Sequence, residues 1–373
     1  MYILAPLVLG IVSAVLAALI DISDKVLNNY GTCKINVNNG DKELSVKGGS
    51  PLLLTLAEQK IFVPSACGGK GTCGACKLQM PNNTDPVLPT ELPFFNKEEL
   101  ANKTRLACQV KVKKDIDIAI PEELFNVQKL ESTVSSIVDV TYDIKEVRLS
   151  ISENLNSFKP GQYMQFETPK YKHNKKTFDT TFRAYSLASS RGSKNELEFL
   201  IRLVPGGVVT TYTHEYLKVD QAINVIGPFG DFYVRDTKNT MICVAGGSGM
   251  APFRCIFRTM LEQNTFTERE IWYFFGAKAI RDMYYMSWLY DLEKKYKNFH
   301  FVPALSEPQP EDNWNGPVGL ITEVLDKYLK KDIDRTNTLE GYLCGSPGML
   351  DACMAVMGKN DMKEENIFFD KFA

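Results

Sequence analysis

The sequence predicts a multidomain chain. An N-terminal transmembrane helix is followed by a small α+β unit around a cysteine-rich loop, an antiparallel β-barrel, and an α/β doubly wound unit. Three observations predict it. Residues 1–20 carry no charged side chain and are rich in Leu, Val, Ala and Ile, and such a run reaches the ~30 Å of a bilayer core at ~1.5 Å per helical residue. Between residues 126 and 236, short strand-like segments alternate with Gly, Pro and Asn turns, the spacing of a closed barrel. From residue 238 onward, continuous apolar runs alternate with helical segments, and two of the runs end in glycines. That is the pattern of strands buried on both faces of a parallel sheet.

Composition bounds what these units can do. At 373 residues the chain is long enough for roughly two to four domains. A net charge of −2, without a basic stripe carrying interleaved aromatics, excludes a nucleic-acid partner. Of nine cysteines, five (Cys33, Cys243, Cys255, Cys344 and Cys353) are scattered without paired spacing, which suits a reducing compartment rather than a disulfide scaffold. The three histidines, His173, His214 and His300, are too far apart in sequence to suggest a histidine-rich metal site.

The first segment, residues 1–25, reads as a membrane anchor. Pro6 falls in the first turns, where it does little harm to a helix. A cleaved signal peptide would carry a basic start and a shorter apolar run, and a buried core helix would show a polar face. The flanking charges Asp21, Asp24 and Lys25 are too balanced to orient the span.

Residues 32–122 form the next unit. Cys33 to Asn38 alternates as a strand, Asn38-Asn39-Gly40-Asp41 is hairpin turn chemistry, and Leu44-Ser45-Val46 is the returning strand. Pro51 to Gln59 reads as a short helix with Leu53, Leu56 and Ala57 on one face. Cys76 to Met80 resumes a strand, and Cys108 to Lys113 alternates again, placing Cys108 at a strand start. Between the helix and that strand lies Cys67-Gly68-Gly69-Lys70-Gly71-Thr72-Cys73-Gly74-Ala75-Cys76. Three cysteines spaced x5 and x2, with Cys108 as a distant fourth, can supply four thiolates to one 2Fe–2S cluster. The glycines allow positive φ and leave backbone N–H groups facing the sulfurs. The plant-type spacing is C-x4-C-x2-C, so the first gap is one residue longer here. Zinc usually shows two C-x2-C pairs, and only one occurs.

In residues 126–236, the segments Thr133–Tyr142, Val147–Ile151, Tyr163–Phe166, Glu196–Leu203 and Ala222–Ile226 read as strands. Lys170 to Thr180 is polar and Lys-rich and reads as a solvated loop. In residues 238–373, Met241–Ala245, Ile271–Gly276, Gly341–Gly348 and Ile367–Phe369 read as buried strands. Gly247-x-Gly249-x-x-Pro252 follows the first, a turn whose glycines permit close approach of a phosphate to a helix N-terminus. Pro252 stands where a true GxGxxG has its third glycine.

Arg183-Ala184-Tyr185-Ser186, then Arg202-Leu203-Val204-Pro205-Gly206-Gly207 with Thr210 and Thr211, then Gly227-Pro228-Phe229-Gly230-Asp231-Phe232, precede that turn in order. Together with Cys344-Gly345-Ser346-Pro347 they resemble the ferredoxin–NADP reductase superfamily, and residues 32–122 resemble the β-grasp ferredoxins. The whole order, with Ala107-Cys108-Gln109-Val110, Gly249-Met250-Ala251-Pro252, Pro310-Glu311-Asp312-Asn313-Trp314 and Glu364-Glu365-Asn366-Ile367, resembles the family of F subunits of the Na+-translocating NADH:quinone reductases. The resemblance implies that Arg183, Tyr185, Ser186, Arg202, Gly207, Thr210 and Thr211 hold FAD, with Tyr185 stacked on the ring and Ser186 near N5. It implies that Gly247, Gly249 and Pro252 receive the phosphates of NADH, with Cys344 beside the nicotinamide, and that Phe372 covers the other flavin face. The chain departs from the family in a shorter loop before Arg183 and in its last residues, Lys371-Phe372-Ala373. Lys278 and Arg281 could meet a 2′-phosphate, yet the family carries basic residues there while using NADH.

The implied activity is electron input. NADH gives two electrons as hydride to the flavin, and a 2Fe–2S cluster accepts one at a time. The implied partners are other membrane subunits of the same complex and a quinone reduced elsewhere in it. The implied location is a single-pass anchor in the cell inner membrane with the soluble domains on the cytoplasmic side. A reductase component of a multicomponent oxygenase shares the three domains and has no need of residues 1–25. A cluster-only redox sensor would bind no flavin.

Overall fold

The computed structural model describes residues 10–18, 30–83, 85–152, 155, 158–193 and 195–371. They divide into two compact units, Met1–Val127 and Gln128–Ala373.

The first unit begins with helix α1 (residues 10–18). Strands β1 (Thr32–Val37) and β2 (Lys42–Lys47) form an antiparallel hairpin. Its turn has three consecutive positive φ values, at Asn38, Asn39 and Gly40, conformations that Asn and Gly adopt at least cost. Helix α2 (Leu52–Glu58) buries Leu52, Leu53, Thr55 and Leu56. Strand β3 (Lys77–Gln79) pairs with β4 (Thr104–Leu106), α3 (Lys97–Ala101) lies between them in sequence, and β5 (Ile116–Ile118) runs parallel to β1. A capping box of Asn96 and Glu99 starts α3.

The fold differs from the sequence expectation at one segment of this unit. Cys108 to Lys113 is not a regular strand; Cys108 sits in a turn just after β4. The first turn of a helix has unpaired N–H groups, and this segment satisfies them. Leu52 N–H donates to Val110 O at 2.7 Å and Leu53 N–H to Ala107 O at 3.0 Å. The apolar alternation is real, since Val110 and Val112 are buried, but its carbonyls serve α2 rather than a ladder.

The second unit opens with a barrel of β6 (Gln128–Asp139), β7 (Ile144–Ile151), β8 (Tyr163–Thr168), β11 (Thr181–Ser186), β12 (Glu196–Arg202) and β13 (Ala222–Phe229). Their order is β11-β8-β13-β6-β7-β12, all antiparallel. An antiparallel bridge from Leu187 to Phe199 closes the circle, so Phe166, Phe199, Val134 and Val225 form a closed core. Helix α4 (Val208–Glu215) packs beside it.

Lys170 to Thr180 differs from expectation. It folds as a small hairpin, β9 (Tyr171–His173) with β10 (Lys176–Phe178), turning through positive φ at Asn174 and Lys175. Tyr171 is buried and stacks on Phe178 at 5.3 Å, and its hydroxyl donates to Val208 O at 2.6 Å. Two aromatics at opposite ends of the segment gave too weak a period to outweigh the lysines between them.

The remainder is a five-stranded, fully parallel sheet: β14 (Thr240–Gly246), β15 (Ile271–Ala277), β16 (Phe299–Leu305), β17 (Leu339–Gly345) and β18 (Ile367–Lys371). The order is β16-β15-β14-β17-β18. Helices α5 (Met250–Glu262), α6 (Met286–Lys295), α7 (Ile321–Lys331) and α8 (Pro347–Lys359) connect the strands, and a separate apolar cluster covers each face. The chain reverses direction of growth between β14 and β17, so ligands are expected beyond their carboxyl ends. Both glycine turns fall there.

Candidate functional site

The cysteine loop is shaped by its glycines. Gly68, Gly69, Gly71 and Gly74 all have φ between +67° and +82°, a region other residues rarely enter. A Cβ on Gly74 would lie 2.4 Å from the Phe94 ring, so the loop also needs the missing side chain. Gly69 N–H donates to Ser65 Oγ at 2.8 Å and fixes the loop entrance.

Four thiols converge as two pairs. Cys67 and Cys73 have their sulfurs 3.4 Å apart, and Cys76 is hydrogen-bonded to Cys108. The hydrogen bond from Cys73 lowers the Cys67 thiol, and that from Cys76 lowers Cys108. The donors Cys73 and Cys76 are correspondingly raised. A two-and-two grouping of sulfurs fits a centre of two irons. The other five cysteines are free and buried.

On the barrel, β11 carries Arg183, Tyr185 and Ser186. Tyr185 is half-buried and packs edge-on to Phe166 at 6.0 Å, and burial pushes its phenol up. Thr210 Oγ1 accepts from Val204 N–H at 3.2 Å, tying the Gly206-Gly207 turn to the start of α4, and Thr211 is buried beside it. Arg202 lies elsewhere. Its Nε donates to Asp143 Oδ2 at 2.7 Å, and its guanidinium lies beside Gly247.

Arg202 therefore lines the cavity at the end of β14. This cavity, of about 290 Å³, is walled by Gly246 and Gly247, by Lys278 and Asp282, and by Ser346. Tyr284 OH donates to Gly247 O at 2.7 Å. Gly249 sits so close to β17 that a Cβ there would be 2.2 Å from Cys344 O. Pro252 is buried in the first turns of α5. Lys278, a candidate partner for a 2′-phosphate, has its Nζ 3.6 Å from Glu307 Oε1.

At one of the contacts between the two halves of this unit, three side chains come together. Ser186 Oγ donates to Asp370 Oδ2 at 2.8 Å, and Asp370 is the register partner of Cys344 across β17 and β18. Cys344 is fully buried, and burial pushes its thiol well up. Asp370 is the residue that sequence reasoning missed. The available signal was an acid two positions before the terminal aromatic; Phe372 itself lies outside the described residues.

Burial raises the Asp370 carboxyl to about 6, against the pull of the Ser186 hydroxyl. The folded chain then holds this proton more tightly than the unfolded chain does. The group's contribution to stability is therefore full below about pH 4, is lost as pH rises from about 4 to about 6, and is level above. The expected loss is about 3 kcal/mol. Asp370→Asn should remove that slope, which denaturant titrations across the window would measure.

Three domain families match: a 2Fe-2S iron-sulfur cluster binding domain over residues 35–113, an oxidoreductase FAD-binding domain over 131–233, and an oxidoreductase NAD-binding domain over 243–355. The chain is 36% identical over 400 residues to the F subunit of the Na(+)-translocating NADH-quinone reductase of Marinomonas sp. (strain MWYL1), covering 98% of this chain and 96% of that one. It is 35% identical over 405 residues to the protein of the same name from Neisseria meningitidis serogroup B (strain MC58), covering 98% and 99%. Among solved structures, the Amycolatopsis cytochrome P450 reductase GcoB superposes with a TM-score of 0.71 at 27% identity, covering 91% of this chain and 99% of that one. The ferredoxin reductase of carbazole 1,9a-dioxygenase superposes with a TM-score of 0.67 at 25% identity, covering 92% and 99%.

Proposed function

The chain belongs to the family of F subunits of the Na+-translocating NADH-quinone reductases, and from that premise we propose that it is the NADH-oxidising, electron-input subunit of a membrane respiratory complex. Other subunits would take the electrons to a quinone and couple their passage to Na+ transport. The observation that carries the reading is the convergence of Ser186, Cys344 and Asp370 between a barrel and a parallel sheet, on a chain that also gathers four thiols in two pairs.

FAD held on the barrel would supply hydride acceptance, and a 2Fe–2S centre held by Cys67, Cys73, Cys76 and Cys108 would supply one-electron transfer. The chain's own residues bind and orient. Arg183, Gly207, Thr210 and Thr211 would hold the FAD diphosphate, Tyr185 would lie against the flavin ring, and Ser186 would donate near N5. Gly247, Gly249 and Pro252, at the start of α5, would take the phosphates of NADH, where unpaired N–H groups favour negative charge. Arg202 on the same cavity would add a cation. Cys344, which cannot ionise where it is buried, would pack beside the nicotinamide, and Phe372 would cover the flavin. Cys67 with Cys73, and Cys76 with Cys108, would each hold one iron.

The corresponding domains are an anchor over 1–25, a cluster domain over 32–122, a flavin barrel over 126–236 and a nicotinamide domain over 238–373. Among the described residues no helix is long and apolar enough to cross a membrane. Residues 1–9 and 19–29 lie outside those described. The anchor reading is supported by the uncharged run 1–20 and by Ile11, Val12, Val15 and Leu16, each at least 50% exposed on α1. It puts the chain in the inner membrane with its soluble domains on the cytoplasmic side.

Anaerobic NADH added to the full chain should bleach the flavin and then the cluster absorption; an unbleached flavin overturns the reading. Deleting residues 1–25 should move the chain from the membrane fraction to the soluble fraction with NADH-driven flavin reduction intact. A reductase serving an oxygenase would be soluble before the deletion.

A further inference from the structure

The second unit contains a buried ionic cluster that none of the roles above uses. Glu146 on β7 and Glu198 on β12 lie on paired strands of the barrel, with side chains 8% and 1% exposed. Helix α5, which begins at the Gly247–Gly249 turn, brings Arg254 and Arg258 to them. Arg254 Nε is 2.5 Å from Glu198 Oε1 and its Nη2 3.8 Å from Glu146 Oε2, while Arg258 Nη1 is 3.2 Å from Glu198 Oε2. Arg148 completes the set at 2.8 Å from Glu146 Oε1. Carboxylates this buried are tolerable only with their partners in place, so the cluster holds α5 to the barrel.

A second connection runs through two consecutive tyrosines. Tyr284 OH donates to Gly247 O in the phosphate turn, and Tyr285 OH donates to Glu146. Tyr285 has φ +55° and ψ 21°, a left-handed conformation that costs a bulky residue and persists where surroundings enforce it. That backbone turns one ring toward the dinucleotide turn and the next toward the barrel. The Arg254 guanidinium lies over the Tyr285 ring at 4.2 Å. Ile144, two positions before Glu146 on β7, lines the dinucleotide cavity.

We propose that Tyr285 and Glu146, backed by Arg254 and Glu198, are positioning residues that fix the Gly247–Gly249 turn against the barrel and so set the nicotinamide over the flavin. The proposal rests on the electron-input reading above. Hydride transfer needs its two atoms in a near-attack geometry, and a misplacement of about 1 Å costs on the order of 10²-fold in rate. Binding of the dinucleotide phosphates rests on the N–H groups of the turn and on Arg202, which substitution at Tyr285 leaves in place. Position and affinity should therefore separate.

The test uses the full flavin-loaded chain with Tyr285→Phe, Glu146→Gln and the double variant. In anaerobic rapid mixing, Tyr285→Phe should lower the limiting rate of flavin reduction about tenfold, with the NADH dissociation constant and flavin content unchanged. NAD+ added to the chemically reduced variant should give a weaker long-wavelength charge-transfer band than in wild type. The double variant should lose no more than the larger single loss, as members of one network do. An unchanged limiting rate and band, with only the melting temperature lowered, would overturn the proposal, and so would additive losses. If Glu146→Gln does not fold, Tyr285→Phe, which lacks one hydroxyl, still decides. A wild-type flavin that NADH does not reduce would instead overturn the electron-input reading, and this proposal with it.

Discussion

Replacing Cys76 by Ala is expected to abolish the iron–sulfur centre while leaving NADH-driven bleaching of the flavin intact. Cys76 is 1% exposed and paired with Cys108, so its loss leaves one iron with a single protein sulfur in a closed loop. No other thiol is placed to replace it: Cys33, in the same core, turns its Sγ to Tyr30 O at 3.6 Å, and the other four are buried in the cores of the second unit. Iron and sulfide content should fall from two of each per chain to near zero, and electron delivery from NADH to a one-electron acceptor beyond the flavin should fall with it. Because metal binding and folding are linked, residues 32–122 should also become more susceptible to protease. Cys33→Ala, equally buried but outside the loop, should keep full iron. A Cys76→Ala chain that retains stoichiometric iron and sulfide would remove the assignment of the loop.

The second large effect is expected at Gly249. Its own φ is −61°, so the obstacle to a side chain is not backbone strain. It is contact: an added Cβ would lie 2.2 Å from Cys344 O and 2.7 Å from the same carbonyl carbon. Those are backbone atoms of the interior strand β17, which cannot rotate aside as a side chain does. Gly249→Ala must therefore push the phosphate turn away from β17, and overpacking of this kind costs about 2–3 kcal/mol. We expect the efficiency of flavin reduction by NADH to fall on the order of 10²-fold, with flavin content retained because the barrel is untouched. Gly358→Ala, where an added Cβ meets nothing within 4 Å, should be neutral. Equal effects of the two substitutions would show that the close approach at Gly249 has no functional consequence.

What could be read from residues alone was whatever local patterns encode. The x5 and x2 cysteine gaps, the glycines that must take positive φ, the alternating barrel strands and the apolar runs of the parallel sheet all depend on neighbours a few positions apart. Short range also explains the misses. The alternation of Cys108 to Lys113 is present, yet its carbonyls pair with the N-terminus of α2, far earlier in the chain, and no local period reports that. The lysines of Lys170 to Thr180 hid a hairpin whose stability comes from Tyr171 packing on Tyr212 and Tyr216 of a later segment.

The sequence by itself determined the kinds of units, their order, and the cysteines and glycine turns able to hold three redox partners. Only the tertiary structure decided which of those residues meet. Ser186 and Asp370 are 184 positions apart, Glu146 and Tyr285 are 139 apart, and Arg202 reaches the Gly247 turn rather than its sequence neighbours. Such meetings follow from sheet order and from the need to pair buried charge, and both are properties of the folded chain as a whole.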